Sequence, residues 1–321
     1  LAATRDYFLA GNAAGTTPFA RTSIAAVGGT TSHDAIIGSP CTVEREIDAI
    51  DSMFALVMFG TNDVRYGRSI DDFGSDLWAI IDAAIARGVV PILSTIPPMD
   101  GDPGADARIP IFNRTARAIA QGRGIPLVDY HRELLPLPNR GLDGDGLHPS
   151  ASPAGACQLT TAGLGYGYNV RNLISLEALA RSRAALAGTA SDATAVLRAG
   201  KGLATDPFVA SLPLADLADT RGSDSLHDAY AGCGNAAATG HEVVYRIELP
   251  AAVTIDAHVV DRGATDVNLH VLAGSLSGAS CVATGDRSVS ATVGPGTIYI
   301  VVDGRTPAGD GEFLLIADAR P

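Results

Sequence analysis

The stretch Phe54-Ala55-Leu56-Val57-Met58-Phe59-Gly60-Thr61-Asn62-Asp63 decides the architecture of the first half of the chain. Six apolar residues without alternation are what a strand buried on both faces requires, and such strands belong to parallel sheets covered by helices. Further apolar runs at 22–27, 89–96 and 125–130 read the same way. Helical patterns lie among them at 43–51, 70–87 and 109–122, and another at 172–186 closes this half. Strand alternating with helix at this spacing predicts an α/β fold with helices on both faces of a parallel sheet. Ligands of such sheets bind beyond the carboxyl ends of the strands. Gly60-Thr61-Asn62-Asp63 therefore stands where a site belongs, and the Asn62 amide is suited to stabilising an oxyanion. The plainer reading is a turn and a helix cap.

A second constellation is Leu142-Asp143-Gly144-Asp145-Gly146-Leu147-His148-Pro149. Three residues apart, Asp145 can orient the His148 imidazole while the other ring nitrogen faces a nucleophile. Glycines let the loop fold tightly, and Pro149 restricts His148 to extended geometry. A calcium loop is the alternative, but it leaves His148 without a role and supplies only two carboxylates. The third signal is Ala26-Val27-Gly28-Gly29-Thr30-Thr31, where a glycine N–H can approach a substrate oxygen. Remaining candidates read as structural: His33-Asp34 opens a helix, His131 follows a strand, and Trp78 packs. Residues 162–168, rich in glycine and tyrosine, line the cleft or form a surface loop.

Beyond about residue 188 the character changes. Residues 188–240 read as a linker region rich in Ala, Gly, Asp and Thr. Period-2 segments follow at 242–249, 253–260, 267–272, 288–293, 297–302 and 312–317, which predicts a small β-sandwich over 241–321. A length of 321 residues accommodates two such domains. With 46% hydrophobic and 18% charged residues the chain is not globally disordered. A net charge of −12 and a single lysine, Lys201, exclude a nucleic-acid or anionic-membrane partner. Four cysteines, two in each half, predict the pairs Cys41–Cys157 and Cys233–Cys281 and an exported protein; the alternative is four buried thiols.

Taken in order, the three loops resemble those of the SGNH (GDSL-type) hydrolase family, over residues 1–187. The resemblance implies a flavodoxin-like three-layer α/β/α sandwich, with Asp145 and His148 as catalytic residues. Asn62 and Gly28 would form the oxyanion hole, with Gly29 as the other register. It also implies an acyl-enzyme mechanism without metal or organic cofactor. One departure stands out: the family's Gly-Asp-Ser nucleophile block does not precede Gly28. Ser23 and Ser32 do not occupy its position, and residues 1–9 read as the helix that follows that block. The expectation is a nucleophile and a central first strand upstream of Leu1, with a natural pseudo-hydrolase as the alternative. Residues 222–318 resemble, more loosely, the bacterial pre-peptidase C-terminal β-sandwich, in which Asp266 reads as a turn former before a cation ligand.

The expected activity is hydrolysis of a small-molecule, lipid or carbohydrate ester by an esterase, lipase or carbohydrate deacetylase. The protein is expected to be secreted or at the cell surface, with polysaccharide or surface contact through the C-terminal domain. An O-acyltransferase using the same residues, and an inactive surface-binding module, are the competing readings.

Overall fold

Three parallel strands, β1 (Phe54–Val57), β2 (Val90–Ser94) and β3 (Leu127–Val128), lie side by side in that order. They belong to the first of two units, Leu1–Ala193 and Thr194–Pro321, in a computed structural model that describes residues 1–189, 198–234 and 236–320. Nine helices accompany them among the described residues: α1 (Ala2–Leu9), α2 (Ser32–Ile36), α3 (Thr42–Ile50), α4 (Thr61–Arg65), α5 (Ile70–Ala86), α6 (Pro103–Asp106), α7 (Ile109–Arg123), α8 (Tyr130–Leu134) and α9 (Gly167–Leu186).

Alternation along β2 explains the layering. Ile92 packs with Val170, Ala178 and Leu179 of α9, whereas Leu93, the next residue, points to the opposite face. There α5 and α7 pack on the strand and on each other, with Phe73 and Phe112 rings 4.5 Å apart. Trp78 is fully buried on α5, as its place on an amphipathic helix predicts. The first unit is thus a parallel sheet with helices on both faces, the expected three-layer α/β/α arrangement.

Residues 22–27 correct the sequence reading. They form no strand. Ile24 donates its N–H to the Glu46 carboxylate, at 3.3 Å, rather than to a ladder, and Ile24 and Val27 are exposed. Glu46 is held in turn by Arg21, at 2.7 Å. A strand needs a hydrogen-bonding neighbour and a buried face, and this segment has neither. The outer edge of β1 is consequently unpaired among the described residues, and Leu56 on it is 52% exposed.

The second unit starts earlier than the composition suggests. Within the expected linker 188–240 lie β4 (Phe208–Ala210), β5 (Leu214–Asp219), β6 (Ala229–Tyr230) and β7 (Ala236–Ala237). After them come β8 (Glu242–Leu249), β9 (Val253–Asp261), β10 (Val267–Ala273), β11 (Cys281–Gly285), β12 (Ser288–Val293), β13 (Gly296–Gly304) and β14 (Glu312–Arg320). One sheet runs β11-β10-β13-β8-β4 and the other β12-β9-β14-β5. Alternate residues such as Tyr245, Ile247, Val259, Leu269, Ile300 and Phe313 form the core. Residues 190–197 of the expected linker lie outside the described residues. Its β5 was hidden by its aspartates: Asp216 is buried, accepting the Tyr245 hydroxyl at 2.8 Å and pairing with Arg198.

Of the two predicted disulfides, Cys233–Cys281 forms. Cys41–Cys157 does not. Cys41 is buried at the start of α3, where the Glu44 carboxylate accepts its N–H at 2.6 Å and burial pushes its thiol above the ordinary range. Cys157 sits exposed in a loop at φ 65°. Equal division of cysteines between the halves constrains neither position nor direction, which is why the arithmetic failed here.

Buried acids mark the outer face of the larger sheet. Glu242 and Asp303 are cross-strand partners, both fully buried. The Tyr230 hydroxyl donates to Asp303 at 2.6 Å, and the Tyr230 ring stacks on His270 at 3.5 Å. Burial, with the Glu242, Asp310 and Asp228 carboxylates nearby, pushes Asp303 up to about 8. An unfolded Asp releases its proton near pH 4. Between about pH 4 and 8 the folded state therefore holds a proton that the unfolded chain has lost, so stability falls as pH rises through that window. Replacing Asp303 with Asn should flatten this slope in the melting midpoint of the second unit, measured across the window. An unchanged slope would remove Asp303 as its source.

Candidate active site

At the carboxyl end of β1 the chain turns at Gly60, whose φ of 126° only glycine adopts readily. A Cβ there would also meet Phe73 at 3.1 Å. The turn launches α4, so Asn62 and Asp63 lie in a helical first turn rather than in a loop. Both grip the segment before them. Asn62 donates one amide hydrogen to the Thr30 carbonyl at 2.8 Å, which leaves the second for another acceptor. Asp63, fully buried, accepts the Ser32 N–H at 3.0 Å and the Ser32 hydroxyl at 2.6 Å, with Arg68 beside it at 3.2 Å. Gly28 and Gly29 form the turn closed by Thr30 N–H on the Val27 carbonyl, at 3.2 Å. Gly29 has φ 87°, as the third residue of a type II turn requires, and Gly28 faces open space. The two candidate oxyanion donors are thereby fastened to one another.

His148 and Asp145 meet in the loop 142–149. His148 Nδ1 is 2.6 Å from Asp145 Oδ2, while Asp145 Oδ1 accepts the N–H groups of Leu147 and His148, each at 2.9 Å. The hydrogen bond to the imidazole and then the backbone donors hold the Asp145 carboxyl well below the ordinary carboxylate range. It stays ionised wherever an imidazole titrates. Both carboxylate oxygens are committed, and Asp143 accepts the Gly144 N–H at 2.8 Å, which disfavours the calcium-loop alternative. The side chains of His148 and Asp145 are 64% and 51% exposed.

This loop rests on the one that follows β2. The Gly146 carbonyl accepts the N–H groups of Asp100 at 2.8 Å and Gly101 at 3.3 Å. On its far side, Ser150 Oγ accepts the Gly167 N–H at 3.0 Å, and the Ser150 carbonyl accepts that of Tyr168 at 3.1 Å. Residues 162–168 therefore buttress the loop from behind, a role that glycine-rich composition did not disclose. Since β1 and β2 are adjacent and parallel, Asn62 and the His148 loop both stand at the carboxyl edge of one sheet.

Other candidates prove structural. His33 lies in α2, opened by Thr31 and Asp34 as expected, and its Nδ1 is 3.4 Å from Asp76. His131 begins α8 and donates its N–H to Thr95 at 2.9 Å. In the second unit, Asp266 exchanges backbone hydrogen bonds with the distant Arg305 and Gly309, and the turn beside it is closed by Thr265 N–H on the Arg262 carbonyl, so the turn role expected of Asp266 falls to its neighbours. Arg140, which sequence reading missed, pairs with Asp100 and Asp106; no motif surrounds it.

Residues 3–152 match the model of the GDSL-like lipase/acylhydrolase family. The first unit is a GDSL-like domain. No curated protein matches the chain. Among solved structures it is similar to a GDSL-like lipase from Bacteroides thetaiotaomicron VPI-5482, at 20% identity over 48% of this chain and 73% of that one, with a TM-score of 0.39. An acetylxylan esterase of Geobacillus stearothermophilus, solved as a catalytic mutant, shares 18% identity over 47% and 68% of the two chains, with a TM-score of 0.37. The pre-peptidase C-terminal domain of a Bacillus anthracis collagenase shares 17% identity over 34% of this chain and 92% of that one, with a TM-score of 0.26. The family that this model describes is one of lipases and acylhydrolases, whose chemistry is ester hydrolysis.

Asp63 offers a test of how the donors of this GDSL-like domain are fastened. Asp63→Ala would orphan the buried Ser32 and leave Arg68 with Asp76 alone. It should destabilise the first unit by roughly 3 kcal/mol in urea unfolding. A loss below about 1 kcal/mol would mean that the two loops hold together without it.

Proposed function

We propose that the first unit is a serine-type acyl-ester hydrolase working through an acyl-enzyme. The observation that carries this reading is the 2.6 Å His148–Asp145 pair, standing exposed at the sheet edge that also bears Asn62. Asp145 fixes the imidazole tautomer, so that the opposite nitrogen takes a serine proton and later activates water. The second Asn62 amide hydrogen and the Gly28 N–H stabilise the oxyanion.

The nucleophile is neither Ser23 nor Ser32. The Ser32 hydroxyl is fully buried and donates to Asp63, while Ser23 Oγ accepts the Ala25 N–H at 3.1 Å. We place it on a strand docked along the edge of β1 that is unpaired among the described residues. A strand there would pair the free edge, cover Leu56, and end beside Asn62 and the Gly28 turn. Substrates are small-molecule, lipid or carbohydrate esters. The Cys233–Cys281 bridge suits secretion or a cell-surface location, and among the described residues no helix is long and apolar enough to cross a membrane.

The protein as its gene encodes it should hydrolyse p-nitrophenyl acetate, and His148→Ala should lower kcat by a factor on the order of 10³ or more. Full activity in that variant would contradict the reading. An encoded protein that neither turns over nor binds covalently at serine would support an inactive binding module instead.

A further inference from the structure

We infer that Arg140 is a positioning residue that holds the Asp145–His148 loop at the sheet edge; the inference rests on the acyl-transfer reading above. Its guanidinium joins two acids of the segment that follows β2, Asp100 and Asp106, the latter at 3.0 Å. Both anchors are themselves fixed. Asp106 Oδ1 accepts the Met99 N–H at 2.8 Å, and Asp102 caps α6 by accepting the N–H groups of Gly104 and Ala105 at 2.9 and 3.0 Å. Asp100 also donates its N–H to Gly146. Asp100 thus meets the His148 loop twice, through its side chain at Arg140 and through its backbone at Gly146. Those contacts bracket the loop's first half, and Asp145 and His148 stand beside the second of them.

The backbone at Arg140 gives an independent sign. Asn139 and Arg140 have φ of 50° and 51°, and Gly141 follows at 68°. Consecutive left-handed residues are unfavourable for L-amino acids, and arginine has no side-chain means of easing the conformation. Such outliers persist where the surroundings over-determine them, and they gather at functional sites. Here the conformation delivers the guanidinium to its two acids. Gly141 completes the bend where any side chain would strike Leu134, since a Cβ would lie 2.6 Å from that residue's Cδ2. Arginine suits the task because its fork can engage both carboxylates at once. The pairing is only partly exposed, at 32% for Arg140 and 28% for Asp106.

Removing the guanidinium frees the loop without touching substrate, so the effect should fall on alignment in the transition state. Misplacement by about an ångström costs on the order of 10²-fold in rate. In the encoded protein, Arg140→Ala should lower kcat by roughly 10- to 100-fold with KM within about twofold. Arg140→Lys, whose ammonium reaches one carboxylate, should recover part of the loss. Amide exchange gives a readout independent of turnover: Asp100 and Gly101 should exchange at least about tenfold faster in Arg140→Ala, with core amides of α7 unchanged. Unchanged kcat, a change confined to KM, or unchanged exchange at Asp100 and Gly101 would overturn the proposal. Loss of exchange protection throughout α7 would do so too, by showing a general stabilising role. His148→Ala, assayed beside these variants, separates the two claims. If that variant keeps its activity the acyl-transfer reading fails, while the exchange data still decide whether Arg140 holds the loop.

Discussion

The Gly146 carbonyl takes the amide protons of Asp100 and Gly101, and the position of Asp145 and His148 depends on that meeting of two loops. Only glycine permits it. A Cβ on Gly146 would lie 2.6 Å from the Gly101 nitrogen, and one on Gly101 would lie 3.2 Å from the Asp145 carbonyl oxygen. The contact ties the Asp145–His148 loop to the segment that follows β2. Arg140 and Ser150 then prevent the loop from pivoting about this point. At the end of β1, Asp63 performs the same office for the Gly28 turn by holding Ser32. Both halves of the site are thus set by buried or partly buried polar contacts rather than by apolar packing.

Much of this was legible in the sequence because the signals are local. Apolar runs located β1 and β2, and helical periodicity located α5, α7 and α9. Period-2 alternation located β8 and β12 with their ends correct. The Asp145–His148 spacing was readable because three residues can bend a carboxylate onto an imidazole without help from elsewhere. What escaped was non-local. Residues 22–27 are apolar enough for a strand, but a strand exists only when a neighbour pairs with it. The same limit hid β5, whose Asp216 becomes a core residue only once Tyr245 and Arg198 satisfy it. Arg140 gave no signal, since its partners lie about 35 and 40 residues away in sequence.

Acids in the chain are held in two different ways. In the first unit, Asp63 keeps a cationic neighbour in Arg68 and donors in Ser32, and Asp145 keeps an imidazole. In the second unit, Asp216 likewise keeps Arg198, but Asp303 and Glu242 face one another across strands and, among the described residues, accept a phenol and a backbone N–H. Burial raises both carboxyls there, whereas hydrogen bonds lower that of Asp145. A carboxyl kept neutral packs against a sheet, while a carboxylate kept charged can steady the imidazolium that forms as a proton is taken. This difference separates a structural acid from one suited to catalysis.

The central claim is that Asp145, His148, Asn62 and Gly28 surround one serine. Reaction of the encoded protein with a fluorophosphonate, followed by peptide mass mapping, tests it most directly. The account predicts a single adduct on a serine other than Ser23 or Ser32, formed much more slowly in His148→Ala and Asn62→Ala. An adduct on Ser23 or Ser32, or one formed at full rate without His148, would contradict it.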